Sequence, residues 1–123
     1  MKKKVILIVE DEPIVSLSLM HALRSWGFKA AAVLSGEEAL VFVKQHSVQL
    51  ILMDIKLQGK LDGIETAILI MQQKKMPIIF LTAYADLEII KRIKASGAKG
   101  YLEKPYNDGE LKQIIVDAVS KSH

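Results

Sequence analysis

Five short apolar runs recur along the chain, and each is followed by a longer stretch with the apolar spacing of a helix. The runs are Val5 to Val9, Ala30 to Leu34, Leu50 to Met53, Ile78 to Leu81 and Gly100 to Leu102. Strands joined by helical crossovers lie parallel, and right-handed crossovers place helices on both faces of the sheet. The sequence therefore predicts an α/β fold of five βα units, with a doubly wound, parallel five-stranded sheet.

Capping residues mark the ends of the five predicted helices. The first helix runs from Pro13 to Trp26, and Gly27 is placed to take the left-handed conformation that closes it. The other helices begin at side chains that can bond the free N–H groups of a first turn. They are Ser35 with Glu38 and Asp62 with Glu65 as capping boxes, Asp86 at the head of the fourth helix, and Asn107 with Glu110 opening the fifth. Gly97 is expected to close the fourth helix.

Length, charge and cysteine content limit the class of protein. The 123 residues suit one domain, spanning 1–123, that buries a core without a disulfide or metal staple. The absence of cysteine excludes thiol catalysis and a Cys-ligated metal site. Lys2, Lys3 and Lys4 account for the net charge of +3. We interpret them as a solvated end and expect no nucleic-acid-binding body.

The chain also lacks the apolar segments of an exported or membrane protein. Its basic start is followed by an apolar run, Val5 to Val9, that is too short for a signal peptide. Nowhere does an apolar stretch approach the ~20 residues of a membrane span. We therefore expect a cytoplasmic protein that does not contact a membrane.

Polar side chains follow four of the five predicted strands. They are Glu10 and Asp11 after the first strand, Asp54 after the third, Thr82 after the fourth and Lys104 after the fifth. Ligands of such sheets bind beyond the carboxyl ends of the strands. In the flavodoxin-like order 2-1-3-4-5, the first and third strands are neighbours and their carboxylates meet at one edge. Two like charges about 4 Å apart repel by roughly 4 kcal/mol at an effective dielectric of about 20, so this cluster calls for a cation or raised pKa values.

Four of these five residues also have an ordinary structural explanation. Glu10 and Asp11 could cap the first helix, where acidic residues are common. Thr82 could be a simple strand-end hydroxyl and Lys104 an exposed lysine. Asp54 is different, because a lone carboxylate at the end of a buried strand is costly. The coincidence of all five at one sheet edge favours a shared site. Oxygen ligands suit a hard ion, with Mg²⁺ as the first choice and Mn²⁺ as the alternative.

These motifs, which extend over essentially the whole chain, resemble the chemotaxis-regulator-like receiver domain of two-component response regulators. The resemblance is carried by Val9-Glu10-Asp11-Glu12, by Met53-Asp54-Ile55 with Asp62-Gly63-Ile64-Glu65, by Leu81-Thr82-Ala83 and by Lys104-Pro105-Tyr106. It implies a phosphorylated signalling domain rather than a conventional turnover enzyme, and no organic cofactor.

The resemblance assigns roles to individual positions. Asp54 would take a phosphoryl group from the histidine of a kinase or of a histidine phosphotransfer domain. The Mg²⁺ ligands would be Glu10, Asp11, Asp54 and the backbone carbonyl of Lys56. Thr82 and Lys104 would bind the phosphoryl oxygens. The resemblance also raises the expectation of a cis bond between Lys104 and Pro105.

A conformational switch is the further implication of the resemblance. Tyr101 would turn inward as Thr82 moves toward the phosphoryl group, although a half-buried strand tyrosine is the plainer explanation. The changed surface would comprise the fourth helix, fifth strand and fifth helix, and it would bind a downstream protein. Ile14 and Ser18 on the first helix are predicted to dock the kinase. The receiver would be a monomer or a weak, phosphorylation-dependent dimer.

The sequence departs from the commonest receiver pattern after the phosphoacceptor. The loop Leu57 to Leu61 is one residue longer than usual and lacks its proline, which leaves the loop geometry unpredicted. Lys56 and Tyr84 occupy positions where the family tunes the lifetime of the phosphoryl group. A long cation and an aromatic ring there predict slow dephosphorylation; exposed side chains without kinetic effect are the alternative.

Other roles remain open at this point. Residues 1–123 include no output domain after the fifth helix, so the chain could be a stand-alone messenger or a receiver from a hybrid kinase or longer regulator. A non-phosphorylated scaffold is the second alternative, although the expected site residues are all present. The histidines, His21, His46 and His123, are scattered, and we interpret them as solvent-side residues rather than ligands or bases.

Two cofactor or enzyme classes share the predicted fold. A flavin or dinucleotide binder would need a phosphate loop after the first strand, where Glu10-Asp11-Glu12 would repel a phosphate. An aspartyl-phosphate hydrolase would need a second Asp two residues after its nucleophile on that strand, whereas Asp11 is followed by Glu12-Pro13. The sequence therefore favours neither.

Overall fold

The structure is a computed structural model that describes residues 4–120. Within this range strands and helices alternate as β1 (Val5–Val9), α1 (Pro13–Ser25), β2 (Ala30–Val33), α2 (Gly36–Gln45), β3 (Val48–Asp54), α3 (Gly63–Gln73), β4 (Ile78–Thr82), α4 (Leu87–Ala95), β5 (Gly100–Glu103) and α5 (Asp108–Ser120). Lys2 and Lys3 of the predicted solvated end, and also His123, lie outside the described residues, while Lys4 is exposed.

All five strands pair in parallel in a single sheet with the order β2-β1-β3-β4-β5. Both the α/β class and the flavodoxin-like order are confirmed. The order places the ends of β1 and β3 side by side, with Val9 opposite Met53. The chain therefore brings the residues after β1 next to Asp54.

Apolar side chains leave the sheet in two directions and form a core on each face. On β1, Ile6 and Ile8 join the cluster under α1 and α5, whereas Leu7 and Val9 join the cluster under α2, α3 and α4. This alternation is the period-two geometry of a strand. Because both faces are covered, β4 is apolar along its length up to Thr82, as predicted.

The strands differ from prediction mainly at their ends. β3 begins at Val48 rather than Leu50, because Val48 pairs with Val5, and it ends at Asp54, which pairs with Leu81. Similarly, Thr82 is the last residue of β4 and pairs with Glu103. Two of the predicted site residues, Asp54 and Thr82, therefore lie within the sheet, where strand pairing fixes their backbones. By contrast, β2 is shorter than predicted, since it ends at Val33 rather than at Leu34.

The predicted helix starts are confirmed for α1, which begins at Pro13, and for three helices that begin at side-chain caps. Reciprocal side-chain bonds join Asp62 with Glu65 at α3 and Asn107 with Glu110 at α5, and Asp86 accepts from the Ile89 N–H at α4. At α2 the predicted capping box is wrong in one half. Ser35 accepts from the Glu38 N–H, but the Glu38 carboxylate bonds the N–H of Leu34 instead of Ser35.

Left-handed glycines end α1 and α4, as the sequence predicts. Gly27 has φ +91° and Gly97 has φ +86°, a region that side chains other than glycine rarely adopt. α1 itself stops at Ser25, with Trp26 as its C-cap, one residue before the predicted end. Among residues 4–120, none of the helices combines the length and apolar character that crossing a membrane requires.

Candidate functional site

A cavity of about 290 Å³ opens at the carboxyl edge of the sheet. The predicted residues that line it are Asp11, Asp54, Lys56, Thr82, Tyr84 and Lys104. They come from the ends of β1, β3, β4 and β5, which the parallel sheet brings to one edge. Of the residues predicted to bind metal or phosphate, to act in the switch or to set the phosphoryl lifetime, two in the described chain do not line this cavity: Glu10 and Tyr101.

Glu10 is buried beside the cavity, with only 3% of its surface exposed. Its Oε2 accepts the N–H of Glu12 at 3.1 Å, and its Oε1 lies 3.7 Å from Nζ of Lys104. Burial raises the pKa of Glu10 to about 7, and the charge of Asp54 adds to the rise, while the Glu12 N–H and Lys104 oppose it. The structure thus shows the charge crowding that the sequence predicts.

Three successive carboxylates form a group that could hold a metal ion. Oxygens of Glu10, Asp11 and Glu12 all lie within 4.8 Å of one another. The group is centred on the end of β1 and includes Glu12, which the sequence interpretation did not assign as a ligand. Asp54 faces the same cavity from β3 without being part of this tight group.

Asp54 is a half-buried carboxylate at the end of β3. Its Oδ1 accepts the N–H of Ile55 at 2.7 Å, which orients the carboxylate at the cavity wall. Burial raises the pKa of Asp54; Lys104 is the strongest opposing charge, and Asp11 adds to the rise. Asp54 is therefore a partly buried carboxylate whose ionisation Lys104 favours and Asp11 opposes.

Lys104 is held by the sheet next to Thr82. Its N–H donates to the Thr82 carbonyl at 2.8 Å, and the peptide bond to Pro105 is cis, as the sequence interpretation expected. The side chain is 28% exposed and runs along the cavity to Glu10. One ammonium group thus lies among the carboxylates of this edge.

Thr82 is 5% exposed, and its hydroxyl is engaged locally. Oγ1 donates to the carbonyl of Tyr84 at 3.0 Å and accepts the Tyr84 N–H at 3.2 Å. Tyr101 lies further down β5, opposite Phe80, half-buried against the core under α4. The structure therefore does not bring Thr82 and Tyr101 into the same cavity lining.

Among the residues that line the cavity, three were not assigned a role from the sequence: Glu12, Ile55 and Ile89. Glu12 directly follows Glu10 and Asp11 in the sequence, so the acidic triplet could have indicated Glu12 as a further metal ligand. Ile89 lines the cavity from the first turn of α4, a placement that depends on the rotation of that helix. Outside the lining, burial raises the pKa of Tyr106, and the charges of Glu10, Asp108 and Asp54 add to the rise.

A profile of the family described as "Response regulator receiver domain" matches residues 6–116. The chain belongs to this family. The matched span contains the carboxylates and the lysine of the cavity, four complete strands and all of β1 except Val5. As a receiver, the chain is a signalling domain of the two-component type rather than a metabolic enzyme.

The receiver is similar to the transcriptional regulatory protein PdtaR of Mycobacterium tuberculosis, with 33% identity over 117 residues. The match covers 94% of this chain and 57% of PdtaR. The chain therefore spans little more than half the length of that relative.

Solved structures of receivers share the fold over almost the full chain. A CheY-like receiver domain protein from Methanospirillum hungatei matches with a TM-score of 0.91 and 28% identity, covering 98% of this chain and 96% of its own. The receiver domain of the sensor histidine kinase PA1611 from Pseudomonas aeruginosa matches with a TM-score of 0.87 and 31% identity, covering 96% and 98%. The PA1611 structure holds a magnesium ion in its active site cleft.

Proposed function

We propose that this receiver accepts a phosphoryl group on Asp54 from a phosphohistidine of a histidine kinase or histidine phosphotransfer domain. The observation that carries the proposal is the cavity of about 290 Å³ that Asp54 shares with Lys104, Thr82 and Asp11. An Asp54 carboxylate oxygen would form the new P–O bond as the P–N bond breaks, and the imidazole would leave. Such transfers have loose transition states, so positioning and charge stabilisation carry the catalysis.

The donor set fits Mg²⁺, with Mn²⁺ as the alternative. Hard divalent cations take oxygen ligands, and the group of Glu10, Asp11 and Glu12 offers carboxylate oxygens alone. We propose Glu10, Asp11, Asp54 and the backbone carbonyl of Lys56 as the ligands. The bound ion would neutralise phosphoryl oxygens, and the magnesium in the cleft of the PA1611 receiver supports this assignment.

Lys104 and Thr82 would bind the transferred group. Lys104 is the cation that lowers the pKa of Asp54 most strongly, so it favours the ionised nucleophile as well as the charged product. The Thr82 hydroxyl is bonded to the main chain of Tyr84. Binding a phosphoryl oxygen would require this hydroxyl to exchange its bond to Tyr84 for one to phosphate.

That exchange is the proposed start of a conformational switch. Thr82 would move toward the phosphoryl group, Tyr101 would turn inward, and the surface formed by α4, β5 and α5 would change. Of the α4 residues that the structure describes, Ile93 alone is buried. α4 is therefore anchored by few core contacts, which suits it to movement. A downstream protein would bind this surface.

Lys56 and Tyr84 would set how long the phosphoryl group persists. Both line the cavity and both are exposed, Tyr84 to 66%. Side chains at the cavity mouth restrict the approach of water to the acyl phosphate. Slow loss of the phosphoryl group is the expected result.

The setting of the receiver is also part of the proposal. We propose a cytoplasmic receiver, a monomer or weak phosphorylation-dependent dimer, that binds proteins and neither nucleic acid nor membrane. Residues 1–123 form one receiver domain in this proposal, either as a stand-alone messenger or as part of a hybrid kinase or longer regulator. Ile14, which is 83% exposed on α1, and its neighbour Ser18 would contact the kinase.

Intact-mass measurement tests the proposed reaction. The wild-type protein is incubated with a small-molecule phosphodonor, with Mg²⁺ or with EDTA, beside Asp54→Asn. We expect one added phosphoryl group on the wild type with Mg²⁺ only, and none on the variant. Equal modification of Asp54→Asn would overturn the assignment of the acceptor, and an unmodified wild type would favour the scaffold alternative.

A further inference from the structure

The loop between β3 and α3 carries Ile55 and Lys56 into the cavity and then turns away toward α2. Its two ends are fixed by backbone contacts: the Gly63 N–H donates to the Ile55 carbonyl at 2.7 Å, and α3 begins there. Its centre, Gln58 to Lys60, lies within the segment Leu57 to Leu61, whose geometry the sequence left unpredicted.

The centre of this loop is docked on the first turn of α2. Ser35, the N-cap of α2, forms an isolated parallel bridge with Gln58. Two residues beyond Gln58, the N–H of Lys60 donates to Oε2 of Glu37 at 3.0 Å. A side chain on α2 therefore fixes the backbone of a loop that is 23 positions away in the chain.

The loop backbone fits closely against the Glu37 carboxylate. Gly59 has φ +93°, and a Cβ at this position would lie 2.6 Å from Oε1 of Glu37. The carboxylate thus lies directly over a glycine whose conformation other residues rarely adopt. The N–H of Glu37 itself and then that of Lys60 lower the pKa of this carboxyl group, as expected for a carboxylate that accepts main-chain hydrogen bonds.

The neighbouring acidic residue does not share this contact. Glu38 lies in the same first turn, where either carboxylate favours the helix dipole, but it accepts the N–H of Leu34. The two glutamates therefore separate the general effect of an acidic first turn from the specific effect on the loop.

We propose that Glu37 is a positioning residue for the phosphoacceptor site, which it serves by clamping the centre of the β3–α3 loop. The clamp limits the movement of the segment that begins at Lys56, whose carbonyl is a proposed Mg²⁺ ligand. This inference rests on the proposed function. It also explains how the lengthened loop is accommodated: the additional chain is docked on α2 instead of projecting over the cavity.

The test compares Glu37→Ala and Glu37→Gln with the matched control Glu38→Ala. In metal-free protein, NMR measures the exchange of the Lys60 amide with solvent, and we expect it to rise about tenfold in Glu37→Ala alone. Titration with Mg²⁺ then gives the dissociation constant, which we expect to rise several-fold in Glu37→Ala, because the loop that carries the Lys56 carbonyl is held less firmly. Glutamine can still accept the Lys60 N–H, so Glu37→Gln should stay close to the wild type in both measurements.

The outcomes separate the clamp from the function on which it rests. A Lys60 amide that exchanges equally fast in Glu37→Ala and Glu38→Ala overturns the clamp whatever the metal does. Faster exchange with an unchanged Mg²⁺ dissociation constant overturns the positioning role. A wild-type protein that binds no Mg²⁺ overturns the proposed function, while the exchange measurement still decides whether Glu37 holds the loop.

Discussion

Arg92 on α4 forms an ion pair with Asp62, the N-cap of α3, with 2.8 Å between Nη2 and Oδ2. The two oxygens of Asp62 have separate partners, because Oδ1 accepts the N–H of Glu65 in the capping box. Asp62 also ends the loop that begins after Asp54. The pair therefore connects the loosely packed α4 with the segment that follows the proposed phosphoacceptor.

Replacing Arg92 should loosen α4 without unfolding the receiver. Both partners are partly exposed, so we expect Arg92→Gln to lower the free energy of unfolding by less than about 1 kcal/mol. The amides of α4 should exchange faster in hydrogen-exchange mass spectrometry.

The two roles of Asp62 can be separated by two variants. Asp62→Asn should resemble Arg92→Gln in stability, because asparagine retains the N-cap. Asp62→Ala should lower the free energy of unfolding by about 1 kcal/mol more, as measured by urea denaturation. Equal stability of the two Asp62 variants would contradict the dual role.

Gly63 should be intolerant of any side chain because it packs on the backbone of Asp54. A Cβ at Gly63 would lie 2.9 Å from the Asp54 carbonyl carbon and still closer to its oxygen. We expect Gly63→Ala to lower the free energy of unfolding by about 1–3 kcal/mol, the usual cost of overpacking, and to slow phosphorylation by displacing Asp54. Gly100→Ala is the control, since its nearest contact would be an ordinary 3.8 Å to Ile114. Urea denaturation that ranks the two variants equally would refute this.

The framework of the fold could be predicted because its signals are local. Runs such as Ile78 to Leu81 specify buried strands, and a parallel sheet then collects whatever follows each strand, which is how Asp54 and Lys104 reach one cavity. Contacts that a long side chain makes with a distant element give no such local signal. The Arg92 pair and the docking of the lengthened loop on Glu37 belong to this class.

Two smaller differences from the sequence predictions, at Glu38 and Ile89, also depend on geometry that local sequence does not specify. At α2 the Glu38 carboxylate can reach either of two adjacent N–H groups, and the sequence does not indicate which one it bonds. Ile89 lines the cavity because of the orientation of α4, which depends on the path of residues 83–86 rather than on apolar periodicity.

The metal-free receiver should lose stability as the pH rises toward neutrality. Folding raises the pKa of Glu10 from 4.5 to about 7, so the fold favours its protonated form. The stabilising contribution is complete below the unfolded pKa and is lost as the pH rises through the folded one. The shift corresponds to about 3 kcal/mol, and burial acts in the same direction on Asp54.

Urea denaturation in EDTA between about pH 5 and pH 8 measures this effect. We expect the free energy of unfolding to fall with pH for the wild type and to vary less for Glu10→Gln, which carries no charge to bury. Glu88→Gln, an exposed change on α4, should keep the wild-type slope. A wild-type protein that becomes more stable across this range would show that the Glu10 carboxylate is not penalised by the fold.

The lifetime of the phosphoryl group should depend on the two exposed side chains at the cavity mouth. Lys56 and Tyr84 line the cavity, so the double variant Lys56→Ala, Tyr84→Ala should admit water more freely and lose its phosphoryl group several-fold faster than the wild type.

The control is Lys60→Ala. Lys60 is an exposed cation of the same loop that does not line the cavity, and the substitution leaves its main-chain hydrogen bond to Glu37 in place. After phosphorylation and removal of the donor, intact mass followed over time gives each rate. If the double variant keeps its phosphoryl group as long as the wild type, these side chains are ordinary solvent-exposed residues and other groups of the cavity set the lifetime.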